Sequence, residues 1–272
     1  MPYLIILILS LSFISPAYAH DWHATQGDII EVDLTSNTQI HKLTCMGKEW
    51  PFKKDNNGTI HGWIGVDLKQ KEGNYPIQWV GVNAITTDHL SINKGKFRIS
   101  RITVDKKMSS FDAAAIKRIH ADQQAIKKTY AMNVDIFPLF TKASIPVEGI
   151  ESTPFGAQRY VNGQAKSPHS GIDIAAPKGT AIKAPLAGKV LLVEDMFLNG
   201  TLIAIGHGQG LVTLYAHLSK TYVHMGDNVQ AGQIIAEVGS TGRSTGAHLH
   251  WGVRFNHARI NPRSLLSLSS KK

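Results

Sequence analysis

The chain has 272 residues, 43% of them hydrophobic and 18% charged, with a formal net charge of +9. That length carries two compact domains or one large one, and the composition excludes wholesale disorder. Cys45 is the single cysteine, which excludes an internal disulfide and a thiolate metal cluster; it reads as a small buried apolar residue.

The first nineteen residues, MPYLIILILSLSFISPAYA, contain no charged side chain. Their apolar stretch, Leu4 to Ile14, is too short to span a bilayer comfortably. Pro16 breaks it, and Ala17 and Ala19 place small residues at −3 and −1 of a cleavage point. Residues 1–19 therefore read as a secretory signal peptide whose removal leaves His20 as the new N-terminus, the alternative being an uncleaved N-terminal anchor. No later stretch is long enough for a transmembrane helix, so an exported chain without a membrane span is expected, in the periplasm or cell envelope. Residues 151–272 carry twelve Lys/Arg against six Asp/Glu, and residues 1–150 carry seventeen against fourteen. A basic surface outside the cytoplasm points to an anionic partner. Cell wall, membrane headgroups and nucleic acid all qualify on charge.

Residues 20–106 read as a small, immunoglobulin-like N-terminal β-sandwich domain. Strand candidates are Asp28–Leu34, Gln39–Thr44, Trp63–Leu68, Tyr75–Val80 and Phe97–Val104, with turn chemistry at Asp55-Asn-Asn-Gly58 and Asn93-Lys-Gly95. Residues 107–150 read as a helical linker and an extended segment. Ser109 with Asp112 three residues later resembles a helix start. Ile116, Ile119, Ile126 and Tyr130 mark one helical face, and the charges, Asp122 among them, read as a solvated face. Pro138 and Pro146 then enforce extended chain, long enough to lie across a groove.

From Glu151 to the end, glycine-rich turns separate short β-branched runs such as Lys189–Val193, Leu202–Ile205 and Gln233–Val238. This predicts an antiparallel all-β domain over 151–272 without a long helix. Within it stand His169-Ser-Gly-Ile-Asp173, His207, Tyr215-Ala-His217-Leu218 and His248-Leu-His250. In a strand, side chains alternate, so His248 and His250 share one face. Pro168 and Gly171 argue for a turn entering a strand at Asp173, with Ile172 and Ile174 on the opposite apolar face. A catalytic zinc site takes three protein ligands and leaves a fourth position for water. Two histidines and one carboxylate satisfy that rule, with either His248 or His250 as the third ligand. No H-E-x-x-H occurs, so the base or oxyanion stabiliser must come from elsewhere, a role that His217 and whichever of His248 and His250 does not bind the metal could fill.

The set H-x-x-x-D, Y-x-H-L and H-L-H, with Gly226-Asp-x-Val-x-x-Gly-Gln233 and the glycine-rich run Gly239–His248, resembles the lysostaphin-type zinc metallopeptidases from Phe155 to Leu265. The resemblance implies one Zn2+ per chain on His169, Asp173 and His250, with His217 and His248 as catalytic groups. It implies hydrolysis of peptide bonds in bacterial peptidoglycan, with no nucleic acid as partner and a monomeric chain. Phe155-Gly-Ala-Gln-Arg159 and Asn162-Gly163 resemble a Gram-negative subgroup, for which a D-Ala–diaminopimelate cross-link is the expected substrate; a pentaglycine bridge is the other option. Arg159 and Asn162 are the candidate substrate contacts. Two rivals remain. One is a lipoyl- or biotinyl-type binding module, which lacks its carrier lysine here because the run ends at Gly239-Ser240. The other is an inactive peptidase-fold protein that binds the wall or activates another hydrolase; its signature would be a missing ligand, and none is missing. His207 reads as structural, and His224 and His257 as exposed turn residues.

Overall fold

The computed structural model describes residues 20–103, 111–136 and 142–268. The proposed leader and Ser109 lie outside them. Among the described residues the chain is mainly β, with two helices, Ala113–Thr129 and Pro262–Leu268. Neither is long and apolar enough to cross a membrane.

The N-terminal half is a two-sheet sandwich. One sheet runs in the order Asp21–Thr25, Ile85–Asn93, Gly73–Gly81, Ile40–Cys45, Lys48–Trp50; the other runs Ile29–Thr35, Thr59–Gly65, Phe52–Lys54. The first strand pairs in parallel with Ile85–Asn93 and the other pairs are antiparallel. The sheets touch at Gly62, where a Cβ would lie 2.3 Å from Leu43 Cδ2 and 2.9 Å from the Trp79 ring. Alternation along Gly73–Gly81 buries Ile77 and Trp79 between the sheets. Cys45 is buried and its carbonyl accepts from Trp50 Nε1; burial pushes its thiol up to about 12, which leaves it inert at neutral pH.

Two strand expectations shift. The run expected at Trp63–Leu68 pairs as Thr59–Gly65, because the turn at Asp55–Gly58 launches the strand earlier. Ile99–Ile102 is a strand but leaves the sandwich, pairing in parallel with Gln158–Val161. The strands Asp21–Thr25 and Ile85–Asn93 carry too weak an apolar alternation to have been marked from the sequence.

The C-terminal half is built on one antiparallel sheet. Its order is Ile150–Thr153, Gly171–Ala175, His248–Phe255, Leu211–Leu218, Gly200–Gly206, Gly188–Met196, Asn228–Val229. Its inner face carries Ile172, Ile174, Tyr215, Leu249, Trp251, Val253 and Phe255, all buried. A small sheet of Ala181–Lys183, Ile234–Glu237 and Lys220–Thr221 adds Ile182, Ile235 and Ala236 to the same core. That core is continuous with the sandwich. Trp50 packs on Phe255 with ring centroids 5.4 Å apart, and Ser264 Oγ accepts from Ile29 N–H at 2.9 Å. Asp67 accepts from the backbone N–H and guanidinium of Arg259. The two halves are thus joined by buried contacts as well as by chain.

The long helix packs on the outer face. Asp112 is its N-cap, accepting from Ala115 N–H at 2.7 Å. Ile126 and Tyr130 pack against a second cluster formed by Leu202, Ala204, Val212, Leu214 and Ala216. Asp122 is not on a solvated face. It is buried, accepting from Phe197 N–H at 2.8 Å and Arg118 Nε at 3.0 Å, so it satisfies a strand-end donor of the C-terminal sheet. Ile116, expected on the packed face, is exposed. The described part of the following segment, 142–154, ends as the edge strand Ile150–Thr153 beside Gly171–Ala175.

Candidate metal centre

Strand register brings the first two candidates together. In the antiparallel pair of Gly171–Ala175 with His248–Phe255, Asp173 sits directly opposite His250, and Ala175 opposite His248. Side chains directly opposed across a pair lie close enough to share a partner. Gly171 permits this approach: a Cβ there would lie 2.4 Å from Trp251 O and 3.0 Å from His250 Cε1. Ile172 and Ile174 flank Asp173 on the buried face, as the alternation predicts.

His169 reaches the same point from the preceding loop. That loop is fixed by His169 N–H to Ala157 O and Gly156 N–H to His169 O. His169 Nδ1 donates to Pro154 O at 3.0 Å, which aims Nε2 inward. His169 Nε2 then lies 3.0 Å from Asp173 Oδ1 and 2.9 Å from His250 Nδ1, and His250 Nδ1 lies 2.9 Å from Asp173 Oδ1. Two imidazole nitrogens and one carboxylate oxygen therefore converge, each on a side chain 17% exposed. Among the described residues this is the one cluster of three such groups able to hold a metal ion. Burial raises the Asp173 carboxyl, but the hydrogen bonds and charges of His169 and His250 outweigh it and hold the group well below the usual carboxylate range. Burial lowers His250 against the opposing pull of Asp173.

His217 arrives by a different device. Strict alternation would put it with Tyr215 on the inner face. Instead the pairing of Leu211–Leu218 with Gly200–Gly206 slips by one residue between Ile203↔Tyr215 and Thr201↔Leu218. His217 has φ +65. A bulge of this kind re-aims one side chain without disturbing the rest of the strand, and it brings the His217 ring 4.7 Å from that of His248. His217 Nδ1 donates to Thr241 O at 2.8 Å. Burial, opposed by the hydrogen bond to Thr241 O and helped by the nearby His248 and His250, draws His217 down to about 4. His248 Nδ1 lies 2.9 Å from Gly246 O and 3.2 Å from Ser244 Oγ, and its Nε2 lies 3.9 Å from Asp173 Oδ1.

Sequence reasoning named these five residues but not what orients them: Pro154, Thr241, Ser244 and Gly246. Thr241 also receives Thr201 N–H and donates to Leu218 O, pinning the glycine-rich loop to the bulge. The only hint in the sequence was the Gly239–His248 run itself. Arg159 and Asn162 lie on the hairpin that precedes His169. Asn162 and Gly163 have φ +51 and +78 between Val161 and its partner Gln164, the backbone a two-residue type I′ turn requires, so the Asn-Gly pair has a structural cause of its own. His207 is fully buried, bridging Ala187 O and Thr213 Oγ1, as a structural residue does. His224 and His257 are exposed.

Residues 167–262 match Peptidase family M23. A Pseudomonas aeruginosa crystal structure described as a peptidase M23 is 30% identical, covers 90% of this chain and 95% of its own, and superposes with a TM-score of 0.72. Mpg of Neisseria meningitidis serogroup B, a DD-carboxypeptidase/endopeptidase, is 42% identical over 114 residues, 42% of this chain and 26% of the relative. ShyC of Vibrio cholerae, a peptidoglycan DD-endopeptidase, is 40% identical over 116 residues, again 42% of this chain and 27% of the relative. The chain thus spans about a quarter of the length of these two curated relatives. With its own fold matched almost end to end by the Pseudomonas structure, the chain belongs to peptidase family M23.

Proposed function

We propose that the protein is an exported, monomeric zinc endopeptidase that hydrolyses amide bonds in the stem peptides or cross-links of peptidoglycan. The observation that carries this reading is the convergence of His169 Nε2, Asp173 Oδ1 and His250 Nδ1 on one point. The donor set fits zinc, which takes imidazole nitrogen and carboxylate oxygen and, in catalytic sites, three protein ligands. Bound there, zinc would supply Lewis acidity and bring the pKa of water to roughly 7.

The other residues would act on protons and position. With Nδ1 committed to the Thr241 carbonyl, His217 keeps the lone pair of Nε2 for the cleft. His248 is held likewise by Gly246 O. Each can take a proton from the attacking water and return it to the leaving nitrogen, or hydrogen-bond the developing oxyanion. Arg159, exposed on its hairpin, and Asn162 are proposed to meet the substrate. The names of Mpg and ShyC favour a D,D bond such as D-Ala–diaminopimelate. The division we propose is a leader over 1–19, an N-terminal domain over 20–106, a linker over 107–150 and the peptidase domain over 151–272, acting in the periplasm.

The test is digestion of purified sacculi by wild type and His250→Ala, with muropeptides analysed by mass and zinc measured per chain. Wild type should hold one zinc and release cross-linked dimers as monomers. Equal products from both proteins would refute the mechanism.

A further inference from the structure

Asp88 is a carboxylate with 0% exposure in the middle of the strand Ile85–Asn93. Its Oδ2 accepts from Trp79 Nε1 at 3.0 Å, and its Oδ1 accepts from the backbone nitrogen of His20 at 2.8 Å. The His20 ring is more distant, with Nδ1 3.8 Å from Oδ1 and the side chain 60% exposed. Among the described residues no Lys or Arg forms an ion pair with Asp88. A buried carboxylate without a counter-charge is costly. The nitrogen that approaches it most closely belongs to the residue that follows Ala17-Tyr18-Ala19.

As long as His20 is joined to Ala19, that nitrogen is a neutral amide. Hydrolysis of the Ala19–His20 bond adds water across it, leaving a carboxylate on Ala19 and an amine on His20. The freed amine takes up a proton, since α-amino groups titrate near 8. The rest of His20 is already held for this role. Its carbonyl accepts from His89 N–H at 2.9 Å, and Asp21 begins the strand that pairs with His89. We propose that the export leader is removed between Ala19 and His20 and that the new α-ammonium of His20 becomes the counter-ion of Asp88. Leader removal then completes the charge pairing of the N-terminal sandwich, and the precursor is less stable than the mature chain.

Two measurements test this. The exported protein is isolated and its N-terminus mapped by mass spectrometry; a start at His20 is expected, and any other start overturns the proposal. Thermal unfolding is then compared for the chain beginning with a free His20, the same chain N-acetylated, and the chain extended by Gly-Ser before His20. Acetylation and extension both retain the N–H donor but remove the charge from its place. Each should lower the midpoint by about 5–10 °C. In Asp88→Asn the three forms should unfold together. Equal midpoints in the wild-type background, or a difference that persists in Asp88→Asn, would show that the amine and Asp88 do not pair.

Discussion

Asp173 and His250 face each other across an antiparallel strand pair, with Oδ1 and Nδ1 2.9 Å apart. His248, two residues earlier on the same face, is opposite Ala175 instead. The two histidines of one short motif should therefore respond differently to substitution. His250→Ala removes one of three converging donors, and zinc retention after dialysis should fall by at least tenfold, with activity lost. His248→Ala should retain one zinc per chain while cleavage falls by roughly 10²–10⁴-fold, the range of a general acid–base group. Metal content by elemental analysis, measured beside turnover, separates the two. Equal zinc loss in both variants would mean that the register does not select the ligand.

The bulge at His217 gives a second prediction. Its φ of +65 is a conformation that asparagine tolerates better than most residues. His217→Asn should therefore keep the bulge, the fold and the zinc while losing the ring nitrogen that faces the cleft. Cleavage of sacculi should fall by about two to four orders of magnitude, with an unfolding midpoint within a few degrees of wild type. Thr241→Ala, which leaves the carbonyl in place but removes the hydroxyl holding the loop to Thr201 and Leu218, should reduce activity less. Its defect should appear as disorder of the His217 ring by NMR.

Much of the site was legible because strand alternation puts His248 with His250 and isolates Asp173 between two buried isoleucines. What alternation cannot reveal is which opposing residue a histidine meets, since register depends on distant chain. Nor can it reveal a bulge: read at period two, His217 belongs with Tyr215 in the core. The sandwich was legible as a β domain, yet Ile99–Ile102 crosses to pair with Gln158–Val161 because parallel pairing over such separation leaves no local mark. Asp122 illustrates the same limit. A charge on a helix reads as solvated until the partner, here the Phe197 amide, is known.

That partner makes Asp122 testable. Asp122→Ala leaves the Phe197 N–H unsatisfied and takes from Arg118 Nε its carboxylate partner, though the guanidinium still donates to Asp195 O, at a cost of about 1–3 kcal/mol. For a chain of this size that corresponds to roughly 2–10 °C in midpoint. Protection of helix amides between Ala113 and Thr129 against hydrogen exchange should fall with it, since the helix is docked on the sheet partly through this contact. Unchanged exchange in the helix would mean that the apolar packing of Ala125, Ile126 and Tyr130, with the Arg118 bond to Asp195 O, holds it without Asp122.

The union of the two halves carries the pH dependence. Burial raises the Asp67 carboxyl, but three hydrogen bonds from Arg259 and one from Lys69 N–H outweigh it, so its pKa lies below the usual value. A carboxyl depressed in the folded state contributes stability that is fully present above its unfolded pKa, about 3.9. That contribution is lost as pH falls through the folded value. Between pH 7 and 5 Asp67 should therefore contribute a constant amount, and below about pH 4 the contribution should decline. Asp67→Asn keeps the shape but not the charge. It should cost about 1–3 kcal/mol at pH 7, and the gap from wild type should narrow steadily on acidification. Denaturant unfolding at pH 7, 5, 4 and 3 measures the gap. A gap that widened toward pH 3 would contradict the sign of the shift, and one that stayed constant would remove Asp67 ionisation from the coupling of the sandwich to the peptidase sheet.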